Sequence, residues 1–184
     1  MIFLILTYMI NKSSTYFTVR EVISNEFKIS SRLLAKLRKS NKIFIDGIPT
    51  YIDKSISVGN IVSVNLDFEE DNSNIVPIQM QLDIIYEDDC FIVVNKPHGI
   101  AVHPSCMHYD TSLSSGIKFY YDSINLKRKI RPVNRLDKDT SGIVIFAKNE
   151  YIQECLIQQM KVKSFKKEYI AILEGTLEHN KRYY

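Results

Sequence analysis

Residues 131–142 bring acidic, basic and hydroxyl side chains together in a short polar stretch directly before an apolar run. The stretch reads Arg-Pro-Val-Asn-Arg-Leu-Asp-Lys-Asp-Thr-Ser-Gly, and residues 143–147 form the apolar run. A carboxylate on such a turn, here Asp137, is a candidate reacting group. The residues alone favour a structural role, because Asp, Thr, Ser and Gly cluster at turns and Arg135 could simply pair with Asp137 or Asp139.

The segments that follow this stretch predict the elements that would hold it. Residues 143–147 predict a strand because they are continuously apolar. Residues 148–160 predict a helix with Asn149 as its N-cap, since apolar residues recur at every fourth position. Alternating residues around Tyr169 predict a further strand, in which the tyrosine could equally be a core aromatic. Together these elements predict a mixed-sheet α+β domain.

The N-terminal region predicts a small α/β domain. Residues 30–39 predict an amphipathic helix that begins at a serine N-cap. Leucines occupy one face, and the opposite face carries three basic residues: Arg32, Lys36 and Lys39. That basic face could be an ordinary solvated surface, or it could lie along a phosphate backbone. Residues 43–47 predict a short strand with an Asp-Gly turn, and residues 58–65 predict a second strand.

Two segments mark the limits of the domains. The first ten residues are apolar, but they have about half the length that a membrane span requires, and no cleavage site follows them. We therefore expect a buried first strand there. Residues 67–74 are acidic and rich in turn formers, which predicts a linker at residues 67–76. The predicted domains are then residues 1–66 and residues 77–184.

The composition limits the class of protein. With 184 residues, of which 45% are hydrophobic, the chain can bury a core in one medium and one small domain. Its three cysteines are widely spaced, which fits neither a disulfide framework nor a paired zinc site and predicts a cytoplasmic location. The spacing of His98, His103 and His108 matches no common metal-ligand motif. The net charge of +3 does not by itself indicate a nucleic-acid partner.

Three blocks of the sequence resemble the RluA-type pseudouridine synthases, and they occur in that family's order. Residues 134–142 resemble its active-site motif of His, Arg, Leu and Asp, two variable residues, then Thr, Ser and Gly. Only Asn134 departs from this motif, in place of the histidine. Residues 89–105 resemble the family's first hairpin, with Asn-Lys-Pro-His-Gly as its turn. Residues 166–175 resemble the strand that carries the active-site tyrosine, here Tyr169.

The resemblance implies an enzyme that isomerises uridine to pseudouridine in RNA, most often ribosomal RNA, without a metal or another cofactor. It implies that Asp137 is the catalytic residue. The target uridine must leave its stack to reach such a carboxylate, and Arg135 lies at the position suited to fill the vacated place or hold the backbone. By the same resemblance, Tyr169 holds the uracil on its ring while the base turns.

The predicted N-terminal domain has a resemblance of its own. Its order of basic helix, strand, Asp-Gly turn and second strand, within residues 16–66, resembles the small RNA-binding domain first seen in ribosomal protein four of the small subunit. In that family the basic helix meets structured RNA. The resemblance therefore implies RNA contacts by Arg32, Lys36 and Lys39.

The resemblance also sets a limit. Members of the RluA-type family continue well beyond the tyrosine strand, and nothing here matches that continuation. We therefore expect residues 77–184 to be the N-terminal part of the catalytic domain only. The alternative to an active enzyme is an RNA-binding fragment in which the basic helix still binds RNA and no uridine is turned over.

Overall fold

The computed structural model describes residues 4–104 and 111–175. Within these residues the chain forms four helices and seven strands in two antiparallel sheets, which confirms the α+β class. The strands are Ile5–Met9 (β1), Ile43–Ile45 (β2), Ile48–Pro49 (β3), Ile61–Asn65 (β4), Asp83–Glu87 (β5), Phe91–Lys96 (β6) and Gly142–Ala147 (β7). The helices are Val19–Asn25 (α1), Ser31–Lys39 (α2), Leu113–Ser123 (α3) and Glu150–Lys161 (α4).

The N-terminal sheet has the strand order β1-β4-β2-β3. Asp46 and Gly47 close the β2–β3 hairpin with φ angles of 51° and 79°, the left-handed pair that such a two-residue turn requires. Ser30 is the N-cap of helix α2, and its side chain accepts a hydrogen bond from Leu33 N–H, which confirms the predicted serine N-cap. Leu33 and Leu37 of this helix are buried in the same hydrophobic core as β2 and β4.

The first strand is an edge strand and not the buried strand that its apolar sequence predicts. β1 pairs with β4, and its side chains are alternately exposed and half-buried. Ile5 and Met9 are 49% and 60% exposed. Successive side chains of a strand point to opposite faces, and one face of this antiparallel sheet is open to solvent. The expectation was wrong because a continuous apolar run does not tell how many faces of a strand are covered.

The second sheet has the strand order β5-β6-β7, and both pairings are antiparallel. Buried side chains of β6 and β7, including Ile92 and Phe146, pack with Ile117 and Tyr121 of α3 in a second hydrophobic core. The sequence predicts a mixed sheet, but in the described part of the chain this sheet is purely antiparallel. A tight turn between β5 and β6 allows only antiparallel pairing. Asn149 caps α4, as predicted, by accepting a hydrogen bond from Ile152 N–H at 2.9 Å.

The strand expected around Tyr169 is not found. Residues 166–173 make no backbone hydrogen bond with the rest of the described chain, and they belong to no strand. Ile170 and Ile172 are fully exposed, and Tyr169 is 64% exposed. The prediction failed because alternation describes side chains, whereas a strand also needs a neighbouring backbone to complete its hydrogen bonds.

The predicted linker has no helix or strand, but it is held firmly against residues 127–131. The Asn72 side chain is buried, accepts a hydrogen bond from Ile130 N–H at 2.9 Å and donates to the Arg128 carbonyl. The backbone N–H of Glu70 also donates to the Lys127 carbonyl at 3.0 Å. The acidic linker therefore lies against a segment with four basic residues: Lys127, Arg128, Lys129 and Arg131. The exact domain boundaries stay a prediction.

Three side chains join the linker to both halves of the molecule, and we call them the clamp: Lys36, Glu70 and Arg131. Arg131 donates two hydrogen bonds to the Glu70 carboxylate, at 2.7 and 2.8 Å, and Lys36 donates a third at 2.9 Å. The Glu70 and Arg131 side chains are only 11% and 9% exposed. A second ion pair, between the half-buried side chains of Asp67 and Arg128, also joins the linker to residues 127–131.

Candidate active site

The loop of residues 135–141, which we call the Asp137 loop, leads directly into β7. Arg135 and Asp137 are both exposed on it. The Asp137 carbonyl accepts a hydrogen bond from Thr140 N–H at 3.1 Å, so the loop closes as a tight turn. Among the described residues, Arg135 forms no ion pair with Asp137 or Asp139. The guanidinium and the carboxylate thus both remain accessible to a ligand.

A buried lysine holds this loop. Lys96, at the end of β6, is 0% exposed. Its ammonium donates to the carbonyls of Lys138 at 2.9 Å, Pro97 at 2.9 Å and Ile100 at 2.7 Å. Burial lowers the pKa of Lys96, and nearby carboxylates, including that of Asp137, act in the opposite direction. The loop backbone next to the candidate reacting group is therefore bonded to a buried cation.

The turn at residues 95–99 reinforces the same contact. Gly99 N–H donates to the Lys138 carbonyl at 3.0 Å. His98 Nδ1 lies 2.9 Å from the Asp139 carbonyl and must donate, because a carbonyl only accepts. The first-hairpin turn and the Asp137 loop, which belong to separate blocks of the sequence, are thus packed into one structure.

Asn134 and Gly142 mark the two ends of the loop. The Asn134 side chain donates to the Ile143 carbonyl and accepts from Ile145 N–H, both at 2.9 Å. Gly142 has a φ angle of 127°, which side chains with a Cβ rarely adopt, so a glycine is required where the loop turns into β7. Both ends of the loop are consequently fixed to the same strand.

Tyr169 and the Asp137 loop border the same cavity. A cavity of about 730 Å³ is bordered by loop residues, by β7 and by the segment that carries the tyrosine. The residues that matter here are Asn134, Leu136, Asp139, Phe165 and Tyr169. Arg135 and Asp137 do not line it. The structure thus brings Tyr169 to the loop, while the other two predicted residues lie on the loop outside this cavity.

His103 lies near Arg135 of the Asp137 loop, although its sequence spacing raises only the question of a metal site. Its Nδ1 lies 3.0 Å from the Ser114 hydroxyl, which itself donates to the Val102 carbonyl at 2.7 Å. Because that hydroxyl has one proton, His103 Nδ1 must donate, so Nε2 is the acceptor nitrogen when the imidazole is neutral. Partial burial and the positive charge of Arg135 both lower the pKa of His103. A neutral histidine therefore lies close to Arg135.

The basic face of α2 is interrupted in its middle. Arg32 and Lys39 are exposed, but the Lys36 ammonium is bound in the clamp and lies 3.9 Å from the centre of the Phe68 ring. The expectation of three free cations therefore needs correction at Lys36. The partner, Glu70, is 34 residues away along the chain, so helical spacing could not reveal it.

The described residues contain no group of three or more metal-binding side chains. His98 and His103 bond to separate partners, and His108 lies outside the described residues. No helix among residues 4–104 and 111–175 is long and apolar enough to cross a membrane.

Replacing Lys96 by methionine tests the role of the buried ammonium. We expect Lys96→Met to lower the free energy of unfolding by about 2 kcal/mol, because the Pro97 and Ile100 carbonyls lose their donor. The Lys138 carbonyl keeps the bond from Gly99. Urea denaturation measures the change. The matched control, Lys138→Met, removes an exposed ammonium and should change stability by less than about 0.5 kcal/mol. Equal stability of the two variants would contradict this role.

Comparison with known proteins places the chain in a family. A sequence model described as RNA pseudouridylate synthase matches residues 90–183, slightly more than half of the 184 residues. The uncharacterized RNA pseudouridine synthase YhcT of Bacillus subtilis is 32% identical, over 87% of this chain and 53% of its own. Ribosomal large subunit pseudouridine synthase D of Borreliella burgdorferi is 37% identical, over 86% of this chain and 54% of its own.

The chain spans about half the length of these relatives. A solved structure, human RNA pseudouridylate synthase domain containing 4, aligns with 44% of this chain and 30% of its own. Its TM-score of 0.36 and identity of 22% are too low to define the fold. The sequence matches, in contrast, include both the first-hairpin turn and the Asp137 loop. The chain therefore belongs to the RNA pseudouridylate synthase family.

Proposed function

We propose that this chain isomerises uridine to pseudouridine in ribosomal RNA, with Asp137 as the catalytic carboxylate and without a cofactor. The observation that carries the proposal is the loop that displays Asp137, whose backbone is bonded to the buried Lys96 and whose ends are fixed to β7. The names of relatives such as ribosomal large subunit pseudouridine synthase D support ribosomal RNA as the substrate. Such a substrate implies a cytoplasmic location.

The reaction is a balanced rearrangement. The bond between ribose C1′ and uracil N1 breaks, the uracil turns, and a bond forms between C1′ and C5. C5 loses its proton and N1 gains one, so no oxidant or reductant is consumed. A carboxylate can act as nucleophile or base in such a sequence, and it needs accurate positioning more than activation. The contacts around the Asp137 loop supply that positioning.

Arg135 and Tyr169 have complementary roles in the proposal. The exposed guanidinium of Arg135 fills the place of the flipped uridine or binds its phosphate, since a guanidinium forms paired hydrogen bonds in a plane. Tyr169 borders the 730 Å³ cavity beside the loop and holds the detached uracil on its ring face. In its neutral form, His103 can accept a hydrogen bond from the RNA through Nε2, because Nδ1 donates to Ser114.

Residues 1–66 form the RNA-binding part of the proposal, and Arg32 and Lys39 are the two predicted RNA contacts on α2 whose side chains are exposed. Lys36 belongs to the clamp instead. We expect Arg32→Ala and Lys39→Ala each to weaken RNA binding and to lower the slope of affinity against salt by about 1. Lys36→Met should leave that slope unchanged. Binding titrations over a range of salt concentrations measure both, and a slope that responds to Lys36 alone would contradict the assignment.

A second candidate is an RNA-binding protein that turns nothing over. It is favoured by one observation: within the described residues, the Asp137 carboxylate has no cationic side chain bonded to it. In that case the loop and the basic residues would bind RNA, but the glycosidic bond would stay intact.

The deciding experiment measures tritium release from unmodified large-subunit ribosomal RNA labelled at C5 of uridine. We expect release by the 184-residue chain, with pseudouridine in the digested product. Thermal unfolding and an RNA-binding titration are measured on the same preparation, to show that the protein is folded and binds RNA. Folded protein that binds RNA and releases no tritium would overturn the proposed activity and support the second candidate.

A further inference from the structure

We infer that Asn134 is a positioning residue for the Asp137 loop, in which a side-chain carboxamide takes over the hydrogen bonds of the backbone. The residues before the loop run along the free edge of β7. The Arg131 carbonyl accepts from Ala147 N–H at 2.9 Å, and Val133 N–H donates to the Ile145 carbonyl at 2.7 Å. Pro132 forms the bridge to Phe146 between these two bonds.

If this antiparallel ladder continued toward the Asp137 loop, its register would fix the next two hydrogen bonds. The pair of Val133 and Ile145 would be completed by Ile145 N–H donating to the Val133 carbonyl. The next rung would join Arg135 N–H to the Ile143 carbonyl. Neither bond is formed. Ile145 N–H donates to Asn134 Oδ1 and the Ile143 carbonyl accepts from Asn134 Nδ2, each at 2.9 Å.

The carboxamide therefore replaces both the carbonyl before Asn134 and the amide after it. An asparagine offers an acceptor and a donor in one plane, as the peptide group does. The strand partners settle the orientation, because a carbonyl only accepts and an N–H only donates. β7 keeps its hydrogen bonds while the backbone at Arg135 leaves the sheet. This release allows the chain to turn into the loop that carries Asp137.

The same requirement predicts which residues can replace Asn134. Alanine would leave both β7 groups without a partner, and aspartate would place a carboxylate against the Ile143 carbonyl. A neutral histidine also has one ring N–H and one acceptor nitrogen, whereas a protonated histidine has lost the acceptor. This explains how asparagine can occupy a position where the resembling motif has histidine.

Amide hydrogen exchange tests the proposal directly. We expect Asn134→Ala to speed exchange at Ile145 at least about tenfold, with little change at Ile92 of β6. Asn95→Ala removes a carboxamide that donates to the exposed Asp83 side chain and should leave exchange at Ile145 unchanged. Unchanged exchange at Ile145 in folded Asn134→Ala protein would overturn the proposal.

A second variant separates positioning from general stability, and it remains informative if Asn134→Ala does not fold. Asn134→His should protect Ile145 at pH 8 and lose that protection as the pH falls through about 6.5. Asp139, Lys166, Lys167 and Glu168 line the same cavity, so the wild type provides the pH reference. If exchange at Ile145 were the same in the wild type and Asn134→His both at pH 8 and below about pH 6.5, the proposal would be contradicted.

The catalytic readout rests on the proposed function. For an active enzyme we expect Asn134→Ala to lower kcat by about tenfold to 100-fold with little change in KM, because misplacing a reacting group affects the chemical step. Asn134→His should recover most of kcat at pH 8. A KM effect without a kcat effect would contradict positioning. A wild type without activity would refute the proposed function alone, since the exchange measurements still decide the role of Asn134.

Discussion

Asp137→Asn should reduce pseudouridine formation at least about 1000-fold, because removal of a reacting group usually abolishes all but background catalysis. The substitution keeps the size of the side chain, and Asp137 is exposed. We therefore expect the free energy of unfolding to change by less than about 0.5 kcal/mol. RNA affinity should be unchanged or slightly higher, since the substitution removes one negative charge from the exposed loop.

Asp139→Asn is the matched control for this prediction. Asp139 lies on the same loop, is exposed, and its carboxylate is 3.9 Å from His98 Nε2. Weak surface pairs of this kind contribute little, and asparagine keeps the size of the side chain that borders the cavity, so tritium release should stay within about threefold of the wild type. Equal loss in both variants would indicate that the loop and not the Asp137 carboxylate had been damaged. Equal activity in all three proteins would refute the role of Asp137.

Glu70→Gln should lower the free energy of unfolding by about 3 kcal/mol, because it leaves Arg131 buried without a negative partner. The neighbouring Glu69 provides a control with the same chemical change. Glu69 is 80% exposed and lies 3.4 Å from an exposed lysine, so Glu69→Gln should change stability by less than about 0.5 kcal/mol. Urea denaturation at neutral pH compares the two variants. Similar effects at both positions would contradict the clamp.

The pH dependence of stability provides a further check on Glu70. Burial raises the pKa of Glu70, but hydrogen bonds and charges from Arg131 and Lys36 outweigh it, so the pKa lies below its ordinary value of 4.5. Ionised Glu70 therefore stabilises the fold fully above pH 4.5, and this contribution is lost as the pH falls through the lowered pKa. Glu70→Gln should lack that acid-sensitive component. A variant with the acid profile of the wild type would exclude this account.

Features that depend on neighbouring residues could be predicted from the sequence. The N-caps at Ser30 and Asn149 and the Asp46-Gly47 turn need only a few adjacent residues, and the structure has all of them. The Asp137 loop was located through its resemblance to a family motif. Its supports could not be located in the same way, because Lys96 bonds to a carbonyl 42 residues away.

Features that depend on distant partners were predicted incorrectly or not at all. Lys36 has the spacing of a solvent-facing helical residue, yet Glu70 binds it. The residues around Tyr169 alternate as a strand does, but no described backbone pairs with them. In the sequence Asn134 is only a departure from a motif, because the side-chain hydrogen bonds by which it replaces backbone bonds depend on the register with β7.

The clamp also bears on how an RNA molecule would be selected. A linker bonded to both halves of the chain fixes the distance between the exposed cations of α2 and Asp137. A docking surface at a constant distance from a reacting group selects a uridine by its place in the folded RNA, without reading the bases between. Inserting base pairs into the RNA, between the RNA helix bound at α2 and the target uridine, would then prevent modification even when the sequences of the bound helix and of the target site are unchanged.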